Sequence, residues 1–432
     1  MSNPTNNEII SPFRSRRPTR PKNRLSKRQR ILSFTPFEIR KVQKLFEIKE
    51  LIETEMEELA LIGLFGHEWK QLYRDICAAL RRLVNYDPRT LILHDRNTLK
   101  ISKFNNVNEA RLNFGDDVFF EHVFGHSPKM VKQLSDLFFR EETIIVPKKG
   151  EIGGELAMLL LLCRLRNTMS TLTVIAQLMG KRHETWVSMF LRHTILFIQA
   201  RYEHILSRPN LHVFQSNFEK WKLAVEKKYR QIHDHQEDIP SRYAGCCVFV
   251  DCVRLLIARP QYGQEVFYNG WLGNHSITRL VLSSPCGLFL YSPGGAAGHE
   301  NDQRMANLAN LEDVLADEDI YCMADKGFYS SAHILAFPKS HDDNAPSPAQ
   351  MKALSALRTA GSEWPFSHLK LCFPYLVYKW KQKIFLTLPE TFMVVAMLLT
   401  NVINLLKGRQ NHIFFDLDSA IDAKEYLSIP FA

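Results

Sequence analysis

The stretch CCVFVDCVRLLIA, residues 246–258, decides the fold. It places Asp251 at the end of an apolar run, the pattern of a buried strand that delivers one carboxylate to a sheet edge. IYCMADKGFY (320–329) repeats the device, with Asp325 closing a second apolar run. SEWPFSHLKLCF (362–373) differs: Glu363 sits among aromatic residues at the start of a helical pattern. Two aspartates from neighbouring strands and a glutamate from a helix are a common way to hold two divalent ions for phosphodiester chemistry. Clustered carboxylates repel one another unless cations occupy the space between them, so the grouping itself calls for Mg²⁺ or Mn²⁺.

The segments around this triad predict strand (246–257), strand (about 275–284), strand (287–292), helix (302–316), strand (320–324), loop, then helix from 363. That is the order of the ribonuclease-H-like fold, in which the first and fourth strands lie side by side. Asp251 and Asp325 then become neighbours, with Glu363 arriving on the following helix. The loop is placed at DDNAPSPAQ (342–350). The apolar final helix, PETFMVVAMLLTNVINLLKG (389–408), is expected to lie deep in the domain.

Upstream, GGELAMLLLLCRLR (153–166), TLTVIAQLMG (171–180) and a helix starting near His183 follow a helix-turn-helix plan. Gly180 is a natural helix stop. In the third helix Val187, Phe190, Leu191 and Ile195 face inward. Arg182, Thr185, Ser188 and Arg192 face outward, where they could meet a DNA groove; the alternative is an ordinary helical bundle. The expected organisation is a disordered basic tail (1–35), a mainly helical region (36–150) and a helix-turn-helix region (151–205). A linker (206–245), a catalytic α/β domain with a mixed sheet (246–410) and a C-terminal tail (411–432) complete it. The class is α+β.

The chain has 432 residues, 45% apolar and 23% charged, enough for two or three domains with sizeable cores. The longest apolar runs, Leu156–Cys163 and Phe392–Leu399, are shorter than the roughly 18–20 residues that span a bilayer. With no apolar leader evident, an intracellular protein is expected. The eight cysteines show no Cys-x-x-Cys spacing and read as buried free thiols. The net charge is +9, and residues 1–35 hold nine Lys/Arg against Glu8, so +8 resides in the tail. Arg16, Arg17, Lys27 and Arg28 lie in its RSRRPTRPKNRLSKRQR segment (14–30), which fits a nuclear-import signal or a contact with DNA phosphates. A merely solubilising tail is the alternative.

In order along the chain, VFVDCV (248–253), YNG (268–270) with His275, CGLFLYSPGGAAGHEND (286–302), ADKGF (324–328), SEWPF (362–366) and LTN (399–401) resemble the landmarks of PIF/Harbinger-type DDE transposases and their host-derived relatives. The resemblance spans residues 150–410. It implies a metal-dependent DNA nuclease or transposase in which Asp251, Asp325 and Glu363 are the metal-binding catalytic acids. Asp302 would be a further acidic position or, alternatively, a helix N-cap. His275 is expected as a core or supporting histidine. The resemblance further implies double-stranded DNA as substrate and a Myb-like DNA-binding partner; the basic tail points to the nucleus, and a homo-oligomer is left open. Cys252-Val253, Asn301, Ala324 and Thr400 depart from the family's Gly-Thr, His, Gly and His. Those changes around intact acids leave open a domesticated DNA- or chromatin-binding protein without catalysis.

Overall fold

The computed structural model describes residues 103–430, apart from 169, 181, 208–209, 234–237, 339–345 and 385. The basic tail, with Arg16, Arg17, Lys27 and Arg28, and the helical spacing of 35–85 lie outside the described residues.

The helical layer begins with α1 (Val107–Phe114), α2 (Asp117–Phe124) and α3 (Pro128–Phe139). Ser127 caps α3 through the Met130 amide, as the Ser-Pro pair suggests. A hairpin of β1 (Thr143–Val146) and β2 (Gly150–Gly153) leads into α4 (Gly154–Arg166). Residues 156–165 of α4 are buried all round, so this helix is the core of the layer rather than one of its faces. Next come α5 (Leu172–Leu178), capped by Thr171, and α6 (Glu184–Tyr202). Val187, Phe190, Leu191 and Ile195 are buried in α6, on the face the spacing assigned to the interior.

The stretch expected as a linker contains α7 (Gln215–Ile232). Its charged residues cover one face, while Phe218, Trp221, Val225 and Tyr229 form a buried stripe on the other. The high charge of QSNFEKWKLAVEKKYRQI hid that period in the sequence.

Among the described residues, seven strands form one mixed sheet. β3 (Cys246–Leu256) is central: antiparallel to β5 (Asn274–Ser283) and parallel to β8 (Tyr321–Ala324). β9 (Ile334–Ala336), absent from the sequence expectation, adds a parallel strand beyond β8. β4 (Tyr268–Asn269), β6 (Phe289–Tyr291) and β7 (Ala296–Ala297) all pair with β5. The helix expected over 302–316 is two, α8 (Asp302–Leu308) and α9 (Leu311–Ala316), broken where Asn310 takes a left-handed conformation.

The helix carrying Glu363 starts earlier than its aromatic cluster suggested. α10 (Pro348–Arg358) opens on a capping box between Ser347 and Gln350, so the end of the expected loop is already helical. A π-helical turn over Thr359–Glu363 then joins it to α11 (Trp364–Cys372). Gly361 in that turn lies against β3: a Cβ there would stand 2.2 Å from the Phe249 ring. The Ser283 hydroxyl donates to the Gly361 carbonyl at 2.8 Å, tying the turn to β5 as well.

α12 (Pro389–Lys407) is long and apolar enough to cross a membrane, yet 83% of that stretch is buried within the fold. It packs on α6 and on the sheet. The Asn401 side chain substitutes for a strand at the β6 edge: it accepts from the Phe289 amide at 2.9 Å and donates to its carbonyl at 2.8 Å. Each large apolar side chain buried this way contributes about 1.5–3 kcal/mol. The seven described cysteines are free, and all but Cys372 are fully buried.

Candidate active site

Val250 of β3 is paired with Ala324, the last residue of β8, and an aspartate follows each in the chain. Asp251 and Asp325 therefore leave neighbouring parallel strands side by side. Asp251 is not at a strand end, however. β3 runs on to Leu256 against β5, with Asp251 opposite Val281, and it is β8 that stops. The Asp251 carboxylate accepts from the Cys252 amide at 2.7 Å. Burial pushes this carboxyl up to about 6. Asp302 and Asp325 push the same way, while the Cys252 amide and the Arg358 guanidinium oppose them.

Asp302 does not cap its helix. Asn301 is the cap, its side chain accepting from the Arg304 amide, and Asp302 opens the first turn. Its carboxylate accepts from Arg254 Nη2 at 2.6 Å, an ion pair about four-fifths shielded from solvent. Arg254 and Cys252 alternate with Asp251 along β3, and Asp302 meets that neighbouring pair while lying close enough to Asp251 to raise its carboxyl. Gly327, just past Asp325, leaves room for it: a Cβ there would stand 2.6 Å from Asp302 Oδ2.

Glu363 closes the π turn and accepts from Arg358 Nη2 at 2.7 Å. The Nε atom of the same guanidinium lies 4.0 Å from Asp325 Oδ1. An α-helix places residues four apart on one face; the extra residue of the π turn lets Arg358 and Glu363, five apart, meet. Arg358 therefore bridges the helical glutamate and the strand aspartate. Neither Arg358 nor Arg254 was expected at the site. The pairing of Arg358 depends on the π turn, which RTAGSE (358–363) does not announce.

These carboxylates suit a hard divalent cation, which takes oxygen ligands. Asp251 and Asp325, with Asp302 beside them, fit that requirement in kind. Glu363 joins them only by releasing Arg358. Among the described residues, no group of three or more His, Cys, Asp or Glu side chains is close enough to hold a metal ion. The arrangement is one of carboxylates screened by two arginines.

The outward residues of α6 divide. Thr185, Ser188 and Arg192 are exposed. Arg182 is half-buried: Nη2 donates to the Phe104 carbonyl at 2.9 Å and to Asn105 Oδ1 at 2.8 Å, and the guanidinium lies over the Trp186 ring. It fastens α6 to the segment before α1. His275 lies at the start of β5, against the Tyr268 ring and away from the carboxylates.

No curated protein and no solved structure matches the chain. Residues 250–401, the span that holds Asp251, Asp302, Asp325, Arg358 and Glu363, match the family model of the DDE superfamily endonucleases.

Proposed function

We propose that the chain is a metal-dependent DNA endonuclease or transposase of the PIF/Harbinger type. The observation that carries this reading is the pairing of Val250 with Ala324, which sets Asp251 and Asp325 next to each other on parallel strands. The strand order supports a ribonuclease-H-like sheet, with β3 as its first strand and β8 as its fourth. Asp251 and Asp325 would hold Mg²⁺ or Mn²⁺, with Asp302 adjacent and Glu363 completing the set. Metal bound there would supply an activated water or 3′-hydroxyl and screen charge on the leaving oxygen. The chain's own part is positional: β3 and β8 fix the aspartates, and the Cys252 amide orients Asp251. Double-stranded DNA would be read through Thr185, Ser188 and Arg192 of α6 and held by the basic tail, with a Myb-like partner and a nuclear location following from the same reading.

The test is nicking of supercoiled DNA in Mg²⁺ or Mn²⁺ by the full chain and by Asp251→Asn. Metal-dependent nicking that the substitution abolishes is expected; nicking that survives it would sink the assignment. A second reading, a DNA- or chromatin-binding protein without catalysis, is favoured by one feature: Arg254 and Arg358 already neutralise Asp302 and Glu363. Salt-sensitive DNA binding with no nicking in either metal would select it.

A further inference from the structure

Where β3 finishes and β5 begins, Lys379 Nζ donates to Asn274 Oδ1 at 2.7 Å and fastens two chain segments together, while the Ala258 amide, just past β3, donates to the Gln382 carbonyl at 2.9 Å. The first segment is the turn YNGWLGN (268–274). Its shape is set by two asparagines: Asn269 accepts from the Leu272 amide and donates to the Gly298 carbonyl, and Asn274 donates to the Leu272 carbonyl. On this internally bonded turn Trp271 is 87% exposed. The second segment is KWKQK (379–383), in which Trp380 is 60% exposed and carries the Lys379 ammonium 5.1 Å from its ring centre.

Exposed tryptophans are costly to leave in water, and neither belongs to a core. Cations stand beside Trp380 and near the base of the Trp271 turn. Arg259 and Lys379 are close enough that, after partial burial, their charges help hold the His275 imidazole below its usual range. Lys381 and Lys383 also line a cavity of about 340 Å³ that opens against Ser188 and Arg192 of α6. Among the described residues, no carboxylate lines that cavity. A basic path therefore leads from the exposed face of α6 along 379–383 to the Trp271 turn.

We infer that this surface binds an unpaired stretch of a DNA strand, with phosphates on Arg192, Lys381 and Lys383 and bases stacked on Trp380 and Trp271. Lysines interleaved with exposed aromatic rings are what a strand without a complementary partner requires, because each base offers a ring face whatever its identity. A duplex keeps its bases stacked inside and would leave both tryptophans unused. The inference rests on the proposed DNA nuclease reading and adds to it a site for a frayed or displaced strand.

The experiment uses the full chain in EDTA at about 0.2 M salt, where loose phosphate contacts are weakened. The probe is a fluorescein-labelled oligo(dT) of about 12 nucleotides, matched to typical single-strand site sizes. Trp271→Ala with Trp380→Ala is expected to weaken binding about 5- to 100-fold, with an unchanged melting profile. The double phenylalanine variant should regain most of that affinity. Equal affinity in wild type and the double alanine variant, or no binding by wild type, overturns the inference. Nicking of duplex DNA by the same preparations separates the two readings. Ring-dependent oligo(dT) binding without nicking sinks the nuclease alone; nicking with ring-independent binding sinks this inference alone.

Discussion

Arg358 and Glu363 meet at 2.7 Å across a π-helical turn, five residues apart on one continuous helical segment. The contact puts a built-in cation where a carboxylate cluster would otherwise need an external one. It links helix geometry to the electrostatics of the site, and its removal has two separable effects.

Arg358→Ala should lower the stability of the metal-free protein by no more than about 1 kcal/mol, because the half-exposed Glu363 and Asp325 lose their shared partner. The same change makes the site more negative, so Mn²⁺ should raise the melting temperature more in the variant than in wild type. Thermal melts in EDTA and in Mn²⁺ check both. An identical Mn²⁺ shift in the two proteins would show that Arg358 does not compete with a cation.

The aspartates were legible in the sequence because each follows a run of apolar residues, although only β8 ends there, and the element order alone made them neighbours. The arginines were not. Arg254 reaches Asp302 through the alternation of β3, and Arg358 reaches Glu363 only through an irregular turn. α7 was hidden by the charges on its solvent face. The strand β9 was missed because Ile334–Ala336 is too short to show a period. Long apolar patterns survive reading from sequence; three-residue strands and side-chain pairings across irregular backbone do not.

Acid should destabilise the fold through two histidines. Burial lowers His126 to about 4 and His368 to about 3, and the nearby Arg409 cation pushes both the same way. Unfolded, both titrate near 6.5, so below that pH the unfolded chain binds more protons and stability falls as pH drops. The loss is bounded at about 2 kcal/mol per histidine by pH 5. Asp251 has the opposite sign, since its raised value favours the folded state in acid, but it is one group against two. Melting temperatures from pH 7 to 5 should decline, and His368→Leu should flatten the decline. A flat wild-type profile would contradict the burial of both rings.

Arg182, just before α6, and Arg192, at its middle, should behave differently. Arg192→Ala should weaken DNA binding and reduce its salt slope by about one, leaving the melt unchanged. Arg182→Ala should lower the melting temperature, since it loses its bonds to Phe104 and Asn105 and its place over Trp186. Salt titrations of binding beside thermal melts distinguish them. A reversed pattern would move the nucleic-acid contact to the start of the helix.

Gly361→Ala should strain the Phe249 contact and cost about 1–3 kcal/mol. Phe249→Leu, placed in the same chain, should recover part of the loss by making room. Chemical denaturation of the single and double variants measures this, and strictly additive losses would show that the two side chains do not meet.

α12 is the core of two things at once, packed on α6 and bonded through Asn401 to the edge of the sheet. The layer proposed to read DNA and the sheet proposed to cut it thus melt as one cooperative unit. Neither can be lent to another protein as a portable module: a fragment ending after α6 would leave its apolar face without a cover, and a fragment starting at β3 would carry α12 with the side that packs on α6 bare. Any descendant that abandons cutting but keeps reading must still maintain the distant helix, so loss of catalysis in this architecture should erode carboxylates long before it erodes length.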